Sequence, residues 1–95
     1  MFAAKVDGNC MTGDHIRDGD IVLFDQDKVP SDGDICAVWI TLDGIRGWML
    51  KRVRLRGPDL HRLEPSNPEY KAIALTREHH AKVAGVAVGV IRVVT

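Results

Sequence analysis

Trp48-Met49-Leu50-Lys51-Arg52-Val53-Arg54-Leu55-Arg56 reads as a β-strand, and the fold follows from that reading. Side chains along a strand alternate between two faces. Met49, Lys51, Val53 and Leu55 therefore share one face, while Arg52, Arg54 and Arg56 share the other. Outward from this segment, the same β-branched or alternating texture recurs in Phe2–Val6, Ile21–Phe24, Ile35–Leu42, Leu60–Leu63, Ala72–Leu75 and Val83–Val94. Turn dipeptides separate the runs: Asp18-Gly19, Asp32-Gly33, Asp43-Gly44, Gly57-Pro58 and Asn67-Pro68. Only Thr12–Arg17 leaves room for a helical turn. Arg17-Asp18-Gly19-Asp20-Ile21-Val22 is echoed by Ser31-Asp32-Gly33-Asp34-Ile35-Cys36, which predicts one turn-into-strand device used twice. The expectation is a mainly β fold, with residues 1–95 forming one domain.

Composition narrows the function classes. A hydrophobic share of 45% beside a charged share of 27% is the balance of a folded chain, not a disordered one. The longest nearly apolar run, Val83–Ile91, is far short of the roughly 20 residues a spanning helix needs. With no signal-peptide pattern at the start, the expected location is the cytoplasm, away from membranes. There, Cys10 and Cys36 stay reduced. Residues 1–45 hold nine Asp against three Lys/Arg, a net of −6; residues 46–95 hold ten Lys/Arg against four Asp/Glu, a net of +6. Such a split is either charge compensation within one fold or a pair of faces that steers a partner. No helix-turn-helix pattern or interleaved aromatics accompany the arginines, so direct DNA binding by this domain is not expected. No metal and no cofactor is expected either. His79 and His80 would face opposite sides of a strand, and His15 and His61 lack partners at ligand spacing. Asp18, Asp20, Asp32 and Asp34 stand where turns need carboxylates to hold nearby amides.

Three residues remain as candidates for chemistry. Lys51 sits in an apolar row. It is either a structural lysine whose stem packs while its head snorkels to water, or a desolvated base, since burial disfavours an ammonium. Gly8-Asn9-Cys10-Met11 follows the first strand. Gly8 permits a sharp bend, and the amides after it, those of Cys10 and Met11, could converge as an oxyanion hole. A cysteine in such a polar turn is a candidate nucleophile. Cys36, within the apolar run Ile35–Ile40, reads as plain core.

Taken together, these segments resemble the LexA-like self-cleaving serine peptidases, the group of the LexA repressor, phage repressors and the UmuD mutagenesis protein. Val6-Asp7-Gly8-Asn9-Cys10-Met11 and Ile16-Arg17-Asp18-Gly19-Asp20-Ile21-Val22 are similar to the family's Gly-x-Ser-Met segment and the Gly-Asp-leu/ile-val strand after it. Leu50-Lys51-Arg52-Val53 resembles the stretch carrying its catalytic lysine. Leu63-Glu64-Pro65-Ser66-Asn67-Pro68-Glu69-Tyr70 and Gly85–Arg92 resemble its leu-x-pro-x-asn-x-x-tyr/phe segment and closing strand. Signal peptidase I shares the nucleophile and lysine motifs but not these last two. The resemblance implies a LexA C-terminal-domain-like (signal-peptidase-like) β fold. It also implies a Ser-Lys-type dyad with Cys10 as nucleophile and Lys51 as base, the backbone amide of Cys10 as oxyanion donor, and a homodimer.

Two departures from the family pattern shape the expected function. The nucleophile position holds Cys10 rather than serine, and a thiol beside a lysine tends toward a thiolate–ammonium pair. Nine residues precede Cys10, without the Ala-Gly or Cys-Gly bond that family members cut, and no DNA-binding domain is expected within these residues. The expectations are a peptidase of the SOS-response or repressor kind, with altered activity, that takes a peptide segment of another chain into its cleft. The alternative is a non-catalytic dimerisation or interaction module that binds a DNA-repair polymerase or another protein, as processed UmuD does. A homodimer would form largely through the C-terminal strand region, Val83–Val94, which is apolar on both faces.

Overall fold

A computed structural model describes residues 1–92 and 94. Seven strands form one antiparallel sheet: β1 (Phe2–Lys5), β2 (Ile21–Asp25), β3 (Ile35–Leu42), β4 (Ile45–Arg56), β5 (Asp59–Glu64), β6 (Ile73–Ala74) and β7 (Lys82–Ile91). Their order in the sheet is β1-β2-β7-β3-β4-β5-β6. The expected helical turn appears as a short 3₁₀ turn at Thr12–Asp14, and a second spans Arg77–His79. That second turn carries no signal among the expected elements, because a single 3₁₀ turn is too short for any periodicity to mark it.

Alternation along β3 divides the core. Cys36, Val38 and Ile40 pack with Val53, Leu63 and Val86 on one face. Ala37 packs with Val6, Met11, Ile16, Val22, Phe24 and Leu50 on the other. Register shifts at Leu23/Phe24 and Ala37/Val38, where β2 and β3 pair with β7, and at Arg54/Leu55, where β4 pairs with β5, mark bulges that bend the sheet round both clusters.

The echoed segments do build one device twice. The Asp20 amide donates to the Arg17 carbonyl (3.0 Å) and the Arg17 amide to the Asp20 carboxylate (2.8 Å); Asp34 and Ser31 repeat both bonds at 3.0 and 2.8 Å. Gly19 and Gly33 sit at φ of 87° and 90°, the left-handed third position of such a turn. Each turn then clamps a strand. Val6 exchanges bonds with Gly19 and Asp20 (2.8 and 2.7 Å), and Val53 with Gly33 and Asp34 (2.9 and 2.8 Å). Finally the Asp18 and Asp32 carboxylates accept the amides of Gly8 and Leu55, both at 2.8 Å. One copy thus grips the chain just before Cys10, and the other grips β4 just after Lys51.

Three ion pairs join the acidic half of the chain to the basic half: Arg52–Asp14 (2.6 Å), Arg54–Asp32 (3.6 Å) and Arg92–Asp20 (2.7 Å). The charge split is therefore compensated inside the fold. The arginines of β4 are also not simply turned to water, since Arg52 and Arg54 are half-buried in these pairs. Asp20 is 2% exposed. Hydrogen bonds from the Arg92 guanidinium, and then from the Arg17 amide, hold its carboxyl down at about 2, against an ordinary 3.8. A depressed carboxylate pKa adds stability that is present above the unfolded value and is lost as pH falls through the folded one. Asp20→Asn should therefore melt below the unaltered chain at neutral pH, with the gap closing as the pH falls from about 4 to about 2. A gap that stays constant over thermal melts across that window would show that Asp20 acts by shape alone.

The C-terminal run departs from expectation. β7 lies inside the sheet between β2 and β3 and ends at Ile91, short of the expected Val94; Val93 lies outside the described residues. Nor is it apolar and buried on both faces. Gly85 and Val86 are buried, whereas Val88, Val90 and Ile91 are nearly half-exposed, because β7 runs past the end of the β3 pairing that covers its first half.

Candidate active site

Gly8 turns the chain out of β1 with φ of +108°, a left-handed conformation that suits a residue without Cβ. The following turn packs Cys10 against the cluster containing Met11, Ile16 and Leu50. Met11 is 1% exposed and anchors the loop. Pairing of β5 with β4 runs from Arg52 to Arg56, and the Cys10 turn comes against β4 beside this pairing. There the Cys10 sulfur donates to the Leu50 carbonyl at 3.5 Å. Its hydrogen-bond partner is thus the β4 backbone one residue before Lys51. The Lys51 side chain leaves the strand on the opposite face from Leu50, and no described hydrogen bond joins Cys10 to Lys51. A shallow cavity of about 290 Å³ opens on Cys10, lined also by Lys5, Val6, Asp7, Trp48, Met49 and Leu50.

Lys51 stands opposite Cys36 in the β3–β4 register and is 7% exposed. Its stem lies in the apolar row that the alternation of β4 predicts. Among the described residues it forms no ion pair. Its Nζ lies 5.6 Å from the centroid of the Tyr70 ring, within cation–π range. A surface lysine would snorkel its head into water. This one is covered.

The segment Pro65–Tyr70 touches both halves of the site. The Ser66 amide donates to the Cys10 carbonyl (2.8 Å), and the Ser66 carbonyl accepts the Gly13 amide (2.7 Å). Asn67 donates through Nδ2 to the Asn9 carbonyl (2.9 Å). Tyr70, whose amide bonds the Asn67 carbonyl (3.0 Å), covers Lys51. Sequence reasoning picked out this segment only as a likeness and assigned its residues no role. Polar residues in a loop carry no periodicity, and nothing local says that positions 66 and 67 meet 9 and 10.

The structure also places Cys36 and His79. Cys36 is fully buried, and that burial, with the charge of Asp34 second, pushes its thiol up to about 12. His79 is not in a strand but caps its own short turn, accepting the Thr76 amide on Nδ1 at 2.9 Å. Among the described residues no group of three or more His, Cys, Asp or Glu could hold a metal ion. No described helix is long and apolar enough to cross a membrane.

Comparison with known proteins bears on the same segments. Residues 1–88 match the model of the Peptidase S24-like family. The chain is 36% identical over 91 residues to LexA repressor 2 of Pseudomonas syringae pv. tomato, covering 96% of this chain and 43% of that protein. It is 37% identical over 92 residues to the LexA repressor of Petrotoga mobilis, covering 97% and 43%. With the LexA repressor of Thermotoga maritima it shares 37% identity over 91 residues, at 96% and 43%. The chain therefore spans less than half the length of these curated relatives.

Proposed function

We propose, since this chain belongs to the Peptidase S24-like family, that Cys10 and Lys51 form a cysteine version of a peptidase dyad acting on a peptide segment of another chain. The observation that carries this reading is Lys51: a covered amine without a carboxylate partner among the described residues, on the residue next to the carbonyl that the Cys10 sulfur touches. Core lysines are rarely built this way, because an unpaired buried amine is costly to keep.

In this reading the Cys10 thiol gives its proton to the Lys51 amine, and the sulfur adds to the carbonyl carbon of the peptide bond. The carbonyl oxygen takes up the negative charge facing the Cys10 and Met11 amides. Collapse breaks the C–N bond, the leaving amine takes the proton from Lys51, and a thioester remains on Cys10. Water then cleaves the thioester, and its second proton returns to sulfur by way of Lys51.

Alkylation by iodoacetamide tests the pair. Cys10 should label quickly near neutral pH, and Lys51→Ala should slow it by about tenfold, since the thiolate loses its adjacent cation. Cys36 is the internal control, and its raised thiol and full burial predict slow labelling while the chain is folded. Labelling of Cys10 no faster than a free cysteine, unmoved by Lys51→Ala, would remove the dyad and leave the non-catalytic interaction module as the better account.

We propose that assembly follows from the end of β7, where Val88, Val90 and Ile91 are nearly half-exposed and a second copy of the chain would cover them. A dimer in sedimentation equilibrium that Val90→Glu converts to monomer is the expected result. A monomer at high micromolar concentration before any substitution sinks it.

A further inference from the structure

Among the described residues, the Cys10 and Met11 amides donate no hydrogen bond within the chain. Each of these N–H groups belongs to a planar peptide unit whose carbonyl oxygen points the opposite way. The unit holding the Cys10 N–H carries the Asn9 carbonyl, and the unit holding the Met11 N–H carries the Cys10 carbonyl. One segment reaches both of those carbonyls, and the Asn9 carbonyl also accepts a longer bond from the Thr12 amide at 3.3 Å. Asn67 Nδ2 donates to the first at 2.9 Å, and the Ser66 amide donates to the second at 2.8 Å.

We propose that the strap Pro65–Tyr70 positions the oxyanion amides of this site, with Asn67 as the positioning residue whose side chain sets the peptide plane that ends in the Cys10 N–H. The inference rests on the peptidase reading above and deepens it. Toward the nucleophile loop the strap acts from behind, through the carbonyl ends of the two planes. Its own geometry is preset. The Asn67 Oδ1 accepts the Glu69 amide at 2.9 Å, which orients the side-chain amide so that Nδ2 faces Asn9. The Tyr70 amide closes the same turn on the Asn67 carbonyl, and its ring meets Lys51. A single short loop thereby holds the amides that stabilise charge and the amine that moves the proton.

Two reactions of the same sulfur separate positioning from scaffolding. With p-nitrophenyl acetate the Cys10 sulfur adds to the acetyl carbonyl, p-nitrophenolate leaves, and an acetyl thioester forms, so the step passes through an oxyanion. With iodoacetamide the sulfur displaces iodide, and no oxyanion forms. Asn67→Asp keeps the size of the side chain and an oxygen for the Glu69 amide but removes the donor to Asn9. It should slow acetylation about 10- to 100-fold while alkylation stays within about twofold. Asn67→Ala should do the same without the added charge, and backbone order parameters of the Cys10 and Met11 amides should fall in both variants. Equal slowing of both reactions, or no slowing of either with order parameters unchanged, overturns the proposal and leaves the dyad standing. If the unaltered chain is not acetylated at all while Cys10→Ala behaves identically, the peptidase reading falls and the strap's role falls with it.

Discussion

Lys51→Met is expected to make the protein more stable and chemically silent at once. Lys51 is 7% exposed, and the contact its amine makes is the Tyr70 ring. Methionine has nearly the same length and flexibility, and it brings no amine to desolvate. A buried polar group without a full set of hydrogen bonds costs about 1–3 kcal/mol in protein mutants, so a gain of that order should appear on its removal. For a domain of this size, that is a rise in melting temperature of roughly 4–8 °C per kcal/mol. Loss of a positioned general base costs about 10²- to 10⁴-fold in rate. Thermal melts and acetylation by p-nitrophenyl acetate read the two effects on one sample. A variant that is stable but fully active removes Lys51 as the base. One that is strongly destabilised shows that the amine is a structural anchor instead.

Gly13→Ala is the second large effect, and it acts through packing. Gly13 donates its amide to the Ser66 carbonyl at 2.7 Å. A Cβ at this position would fall far inside van der Waals contact distance of that same oxygen, which belongs to backbone and has little freedom to retreat. Overpacking typically costs 1–3 kcal/mol, and a backbone-on-backbone clash belongs at about 3 kcal/mol or above. The strap should be pushed off the nucleophile loop, so acetylation of Cys10 should fall along with the melting temperature. Gly47→Ala is the matching control. Nothing stands within 4 Å of its Cβ, so a change within about 0.5 kcal/mol is expected. Equal melting temperatures for the two variants in calorimetry would mean that the Gly13–Ser66 contact gives way cheaply.

Much of this protein is written in short-range pattern. Ile35–Leu42 matches its strand at both ends, and the other runs fall within a few residues of theirs, because alternation and Asp-Gly or Gly-Pro turn chemistry act between neighbours. The repeated Asp-Gly-Asp device was legible for the same reason: each copy closes a turn within four residues. Burial of Cys36 could be read from its strand, whereas the apolar row around Lys51 left open whether its head reaches water, and the structure buries it. The C-terminal run misled. Nine nearly apolar residues say that a strand is wanted, but whether it lies inside the sheet or at its edge depends on which strands pair with it.

The sequence by itself thus determined the strands and the turns, and it singled out Cys10 and Lys51 as candidates. Tertiary structure alone decided how they are held. The bonds that make the site join Ser66 to Cys10, Asn67 to Asn9, Asp18 to Gly8 and Tyr70 to Lys51. Each is a single polar or aromatic contact between loops far apart in the chain or on different elements. No period of 2 or 3.6 records such a contact, so it exists only once the sheet has brought those loops together.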